Sequence, residues 1–235
     1  MKEIWYDSLQ KHFFDPLIDV LFPPLCYICY SLLPPHQKII CQVCWEKIPL
    51  FKGNLDNSLK DRSFDNLFIL FEFEETIRLL IHLLKYKHHL TLAQYFARET
   101  TKCFPFFHDR LFTAIVPVPL YKTRKRERGY NQSEELSNAL GQLYHIPVNT
   151  ELLLRMRYTA SQTRMSREER EKNVKNAFYC PHKIQETRIL LVDDVITTGS
   201  TVEACIQVLK KAGNTEVDVF AIAHPKGSAD ENNHI

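Results

Sequence analysis

The stretch Ile189 to Thr201, ILLVDDVITTGST, constrains this chain more than any other. It opens on four apolar residues, Ile189 to Val192, β-branched at both ends, which suits a strand buried on both faces. Two carboxylates, Asp193 and Asp194, follow at the carboxyl end of that strand, and then a hydroxyl-rich turn, Thr197, Thr198, Gly199, Ser200 and Thr201. From Val202 onward Cys205, Ile206, Val208 and Leu209 take up helical spacing, so a helix is entered at Ser200 or Thr201. In an open α/β sheet, ligands sit beyond the carboxyl ends of the strands. A helix N-terminus offers free N–H groups and a positive dipole end to a phosphate. Adjacent carboxylates accept hydrogen bonds from vicinal hydroxyls, or hold a cation through water. A diol plus a phosphate is a ribose 5-phosphate. An ordinary strand, polar loop and helix has the same outline, but the order of acids, TTG and helix favours the ligand site.

Two CxxC pairs, Cys26/Cys29 and Cys41/Cys44, stand eleven residues apart. Each can form a tight knuckle, and two knuckles complete a tetrahedral four-thiolate site for Zn²⁺, closed and therefore structural. An iron–sulfur centre or redox-active dithiols are the alternatives. Cys103, Cys180 and Cys205 each stand alone and read as buried apolar residues. Seven cysteines without an export signal fit metal binding plus free thiols, not a disulfide framework. Phe13 to Leu25 is apolar but too short to span a bilayer, and it holds Asp15, Asp19 and three prolines. A cytoplasmic location is the expectation. A net charge of +2 gives no global argument for nucleic acid or membrane. The length of 235 residues accommodates a segment 1–60 with the four cysteines, an α/β domain over 61–225 and a small polar tail, 226–235, expected to be disordered.

The rest of the chain fills in this outline. A short helix is expected over Glu3 to His12, and a polar linker over residues 52–65. Asn66 to Phe73 reads as a strand, and Glu75 to Lys87 and Thr91 to Cys103 read as helices. Lys85 and Lys87 end the first of these, where cations suit the negative dipole end, a structural role. His82, His88 and His89 read as surface residues. Thr113 to Pro119 is the first clear strand of the α/β core, and Glu216 to Ala223 a later one. Between Leu120 and Gln132 five basic residues, Lys122, Arg124, Lys125, Arg126 and Arg128, fall within seven positions. Gly129 breaks this run, and Asn131 or Ser133 caps a helix reaching Leu143. The run is either a solvated face or an anion site for pyrophosphate or a nucleic-acid backbone. Glu151 to Phe178 is rich in both charges, and is either a mobile hood over the ligand or an exposed excursion.

The stretch 189–201 resembles the phosphoribosyl pyrophosphate (PRPP) motif of the type I phosphoribosyltransferases. The whole chain resembles the ComF family: the apolar lead into CxxC…CxxC, then VPVPL, then RGYNQS (Arg128 to Ser133), then Arg157, Thr159, Gln162, Arg170 and Asn173, then ILLVDDVITTGST. That resemblance implies an α/β fold, a type I phosphoribosyltransferase-like parallel sheet flanked by helices, with a small N-terminal four-cysteine zinc ribbon. It implies a link to natural competence and DNA uptake. Asp193 and Asp194 would hold the ribose hydroxyls, and Thr197, Thr198, Gly199, Ser200 and Thr201 the 5-phosphate. Val118, Pro119 and Leu120, with Arg128, would bind pyrophosphate and its Mg²⁺. The segment 157–170 would close over the site. Purine-salvage members carry an aspartate where Thr197 stands, so that activity is disfavoured. Two functions follow: an enzyme transferring phosphoribose from PRPP to an acceptor, or a non-enzymatic protein handling single-stranded DNA with other competence proteins, its PRPP site kept as sensor or relic.

Overall fold

The computed structural model describes residues 23–34, 37–53, 59, 62–156, 176–185, 187–213 and 215–225. The expected helix over 3–12, the hood residues 157–170 and the tail 226–235 lie outside them. The chain divides into two compact units, Met1–Ile48 and Pro49–Ile235.

In the first unit, the backbone of Cys26 turns back through Tyr30, whose N–H reaches the Cys26 carbonyl at 2.9 Å, and an antiparallel bridge joins Leu25 to Leu32. A short helix, α1 (Gln42–Glu46), follows the third cysteine. Leu33, Ile39, Ile40, Trp45 and Ile48 bury themselves around the thiols, a small apolar core.

The second unit is built on a four-stranded parallel sheet. Its strands are β1 (Leu67–Glu72), β2 (Ala114–Pro117), β5 (Arg188–Val195) and β6 (Glu216–His224), in the order β1-β6-β5-β2. The register pairs Leu191 with Val219 and Val116 with Leu191. Each parallel step needs a crossover, and helices supply them: α2 (Glu75–Tyr86), α3 (Thr91–Cys103), α4 (Lys122–Arg128), α5 (Gln132–Tyr144) and α6 (Ser200–Ala212). Strand alternation sends Ile189, Leu191, Val217, Val219 and Ala221 into one core with Val202, Cys205, Ile206 and Leu209 of α6. Phe220 points the other way, onto Phe104 and Phe107 beneath α3 and α5. Helices therefore cover both faces, which is why β5 and β6 read as continuous apolar runs. A separate antiparallel pair, β3 (Leu154–Arg155) with β4 (Phe178–Tyr179), closes the base of the charged excursion.

The strand expected over 66–73 spans Leu67–Glu72 and joins the sheet as an edge beside β6. Two expectations change. The expected linker ends in an anchored segment, because Asp65 accepts from the Val217 N–H at 2.7 Å and pairs with Lys210 at 2.9 Å. Of the three lone cysteines only Cys205 is fully buried. Cys103 ends α3 and Cys180 follows the two-residue β4, and element ends leave them partly open.

Candidate functional site

Asp193 and Asp194 lie in the last turn of the pleat of β5, with Asp193 beside Ala221 of β6. Because successive side chains leave a strand on opposite faces, the two acids meet different surroundings. Asp194 is 4% exposed. Its Oδ1 accepts from Gln132 Nε2 at 2.8 Å, and its Oδ2 is in contact with the ammonium of Lys85. Asp193 is half-buried; its Oδ1 accepts from the Asp194 N–H at 2.9 Å and from Ser133 Oγ at 3.2 Å. Burial, then the charge of Asp194, push its carboxyl up to about 7, against the opposing pull of the Asp194 N–H, Lys85 and Ser133. Arg155, on β3 at the base of the excursion, adds a second cation in electrostatic reach of Asp193.

The block Arg128 to Ser133 explains itself residue by residue. Gly129 takes φ +85°, the left-handed position that ends α4. Asn131 caps α5, its side chain accepting from the Ser133 N–H at 3.1 Å while its Nδ2 donates to the Val118 carbonyl at 3.0 Å. Tyr130 Oη donates to the Leu84 carbonyl in the last turn of α2. Arg128 lies over the Tyr86 ring at 4.8 Å and donates to Gln132 Oε1. A continuous chain therefore runs from Arg128 through Gln132 to Asp194 and Lys85. The Val118 N–H is committed to the Val192 carbonyl at 2.8 Å, and Pro119 and Leu120 follow, half-buried, at the end of β2. Spacing had given Lys85 only a helix-end role. The folded chain makes it the counter-ion of Asp194, because the C-terminal end of α2 rests over the end of β5.

The turn after β5 leads into α6 through Gly199, whose φ of +71° is its N-cap conformation. Thr198 Oγ1 and Ser200 Oγ are 2.8 Å apart, and Arg62 donates to the Thr198 carbonyl at 2.9 Å. Thr197 and Thr201, half-buried, flank this pair. The first-turn acid Glu203 is turned aside, accepting from the N–H and hydroxyl of Ser63, both at 2.8 Å. A Cβ at Gly199 would stand 2.5 Å from Leu59 Cδ2 and would hold a left-handed φ. Gly199→Ala is expected to cost about 1–2 kcal/mol from the backbone alone. That is a fall of roughly 2–8 °C in a thermal melt for a chain of this size; an unchanged melt would contradict the contact.

The four cysteines Cys26, Cys29, Cys41 and Cys44 converge, with all four sulfurs within 4.8 Å of one another. Cys26 Sγ accepts from the N–H groups of Ile28 and Cys41, and Cys41 Sγ from that of Cys44, each at 3.4 Å. Such N–H donors stabilise thiolate charge. The metal-free thiols differ sharply: hydrogen bonds from Ser31 bring Cys29 down to about 6, and burial pushes Cys44 up to about 12. The donor set fits one soft or borderline metal ion in a closed site.

Comparison with known proteins gives a consistent outcome. A family model described as uracil phosphoribosyltransferase matches residues 154–229, which contain the acids and the turn. "Competence protein F" of Haemophilus influenzae is 32% identical over 191 residues, covering 78% of this chain and 83% of that protein. "DNA utilization protein YhgH" of Escherichia coli O157:H7 is 31% identical over 221 residues, 85% of this chain and 96% of that protein. "Competence protein ComFC" of Bacillus subtilis is 23% identical, over 80% of this chain and 79% of its own length.

Proposed function

Because this chain belongs to the ComF family of competence and DNA-utilisation proteins, we propose that its parallel-sheet unit binds PRPP and transfers the phosphoribosyl group to an acceptor. The observation that carries this reading is a carboxylate pair at the end of β5, followed directly by a left-handed glycine and the N-terminus of a 13-residue helix. Asp193 and Asp194 accept from the ribose 2- and 3-hydroxyls. The N–H groups and hydroxyls of Thr197 to Thr201 hold the 5-phosphate, which fixes the ring as a rigid target. The end of β2, from Val118 to Leu120, and Arg128 face the pyrophosphate. In transfer, the bond from C1 to pyrophosphate breaks and a bond from C1 to the acceptor forms, with positive charge building on the ring between. Mg²⁺, when bound, supplies neutralisation of the departing pyrophosphate. Thr197 offers no carboxylate to a purine base, so the acceptor is not a purine held in that way. The four thiolates hold a structural Zn²⁺, which suits a reducing, cytoplasmic compartment.

One observation favours a second reading. α4 buries none of its residues, and Lys122, Lys125 and Arg126 line a groove of about 620 Å³ with Gly129. Together with the names of the relatives this suits single-stranded DNA held by its phosphates. Among the described residues no helix is long and apolar enough to cross a membrane.

Calorimetric titration of PRPP with Mg²⁺ into the zinc-loaded protein, against ribose 5-phosphate, tests the first reading. PRPP should bind at least about tenfold tighter, because it fills the pyrophosphate subsite as well; that ratio is about 1.4 kcal/mol. No heat from either ligand would sink the reading. Binding of single-stranded DNA that weakens steeply with salt would then favour the second.

A further inference from the structure

We propose that Lys85 is the resident counter-cation of the carboxylate pair, so that the free protein takes up no divalent cation there. The inference rests on the phosphoribose reading for its purpose, but not for its test. A divalent ion of the Mg²⁺ class needs several oxygens in strict geometry and gives up its water reluctantly. The pair offers few oxygens. Asp194 Oδ1 accepts from Gln132 Nε2, and Asp194 Oδ2, buried and without a hydrogen-bond donor, is in ion-pair contact with Lys85 Nζ. Asp193 Oδ1 already accepts from the Asp194 N–H and Ser133 Oγ. Of the four carboxylate oxygens, only Asp193 Oδ2 has neither a hydrogen bond nor an ion-pair contact among the described residues.

Burial and the neighbouring Asp194 charge disfavour ionisation of Asp193, and the Lys85 ammonium offsets them in part. Lys85 does so from the last turn of α2 with its side chain 23% exposed, and Arg155 adds a second positive charge near Asp193. Lys85 is held on site by its neighbours: Tyr130 Oη ties Leu84 to the RGYNQS block, and Arg128 covers Tyr86. A divalent ion at the acids would have to displace an ammonium that the fold delivers there. A diol meets no such conflict, because hydroxyls donate to Asp193 Oδ2 and can share Asp194 without expelling Lys85. Lys85 is thus a positioning residue: it holds Asp194 in place and draws the raised Asp193 carboxyl back down, so that the pair serves the ribose without a metal of its own.

The experiment uses Mn²⁺ as the probe, read by loss of the free-ion electron paramagnetic resonance signal in the zinc-loaded full chain. Wild type and Lys85→Arg should take up no more Mn²⁺ than Asp194→Asn. Lys85→Met should gain one site at least about tenfold tighter, and Lys85→Met with Asp194→Asn should lose it again. Uptake by wild type equal to that of Lys85→Met, or no gained site in a folded Lys85→Met, overturns the proposal. If Lys85→Met does not fold, wild type against Asp194→Asn decides: greater uptake by wild type overturns it, and equal uptake upholds it. Absence of heat from both PRPP and ribose 5-phosphate would remove the phosphoribose reading and leave the Mn²⁺ result standing.

Discussion

Replacing Asp193 by Asn should raise the melting temperature of this protein above pH 7, whereas replacing Asp194 by Asn should lower it. The two acids are adjacent in sequence, but the fold treats them oppositely. Burial and the charge of Asp194 push the Asp193 carboxyl up to about 7. A carboxyl raised in this way keeps a proton in the folded chain that it loses in the unfolded chain between about pH 4 and pH 7. Its contribution to stability is therefore fully present below pH 4 and is lost as pH rises to 7 and beyond. Asn does not titrate, and its Oδ1 can still accept from the Asp194 N–H and Ser133. The gain from Asp193→Asn should be small at pH 5 and reach on the order of 1–2 kcal/mol at pH 8, after allowance for the partial exposure of the group.

Asp194→Asn strips Lys85 of its partner in a contact whose carboxylate side chain is 6% exposed. Its cost should fall between those of exposed and fully buried pairs, about 2 kcal/mol. Melts of both variants at pH 5 and pH 8 check this, and shifts of the same sign at pH 8 would refute it. Both variants should lose ribose ligand affinity, by at least about tenfold for Asp193→Asn.

Removing metal from the cysteine cluster should unfold the Met1–Ile48 unit. Among its described residues the buried apolar side chains are few, Leu33, Ile39, Ile40, Trp45 and Ile48 with Cys26 and Cys44, and units this small usually need a metal or disulfides to fold. Structural Zn²⁺ in comparable small modules contributes about 10–16 kcal/mol of binding free energy. Trp45, 7% exposed, should move into water on chelation. In a Trp5→Phe background its emission should shift to the red as a chelator is added, with one zinc released per chain. Cys44→Ser should show the shifted emission from the start. A chain that carries no zinc, and whose Trp45 emission ignores the chelator, would refute a metal role for the four thiols.

Much of the fold was legible locally. The period-3.6 patterns of Glu75–Tyr86 and Thr91–Cys103 and the continuous apolar run of Arg188–Val195 depend on which faces of one element are buried, and those faces are written in consecutive residues. The cap of α5 was readable to within two residues, Asn131 or Ser133, because capping chemistry is local, and the fold uses Asn131. The cysteine knuckles were readable because two-residue spacing already brings two sulfurs to one point. Gln132 and Ser133 carried a weaker signal: polar residues in the first turn of a helix, inside a distinctive block, which nothing local assigned to the acids.

Consecutive residues already specify the strand, the acid pair, the hydroxyl-rich turn and the helix, and the four thiols as one set. Long-range packing gives Asp194 to Lys85 and Gln132 and leaves Asp193 half-buried beside Ser133. It also decided that Leu67–Glu72 lies beside β6, and that Arg62 and Ser63 fasten the approach to the sheet onto the turn and α6. The physical reason is common to all three. Hydrophobic period and capping are properties of neighbours in the chain. The partner of a buried charge is set by which distant helix end the packing brings over the strand, and no local pattern encodes that distance.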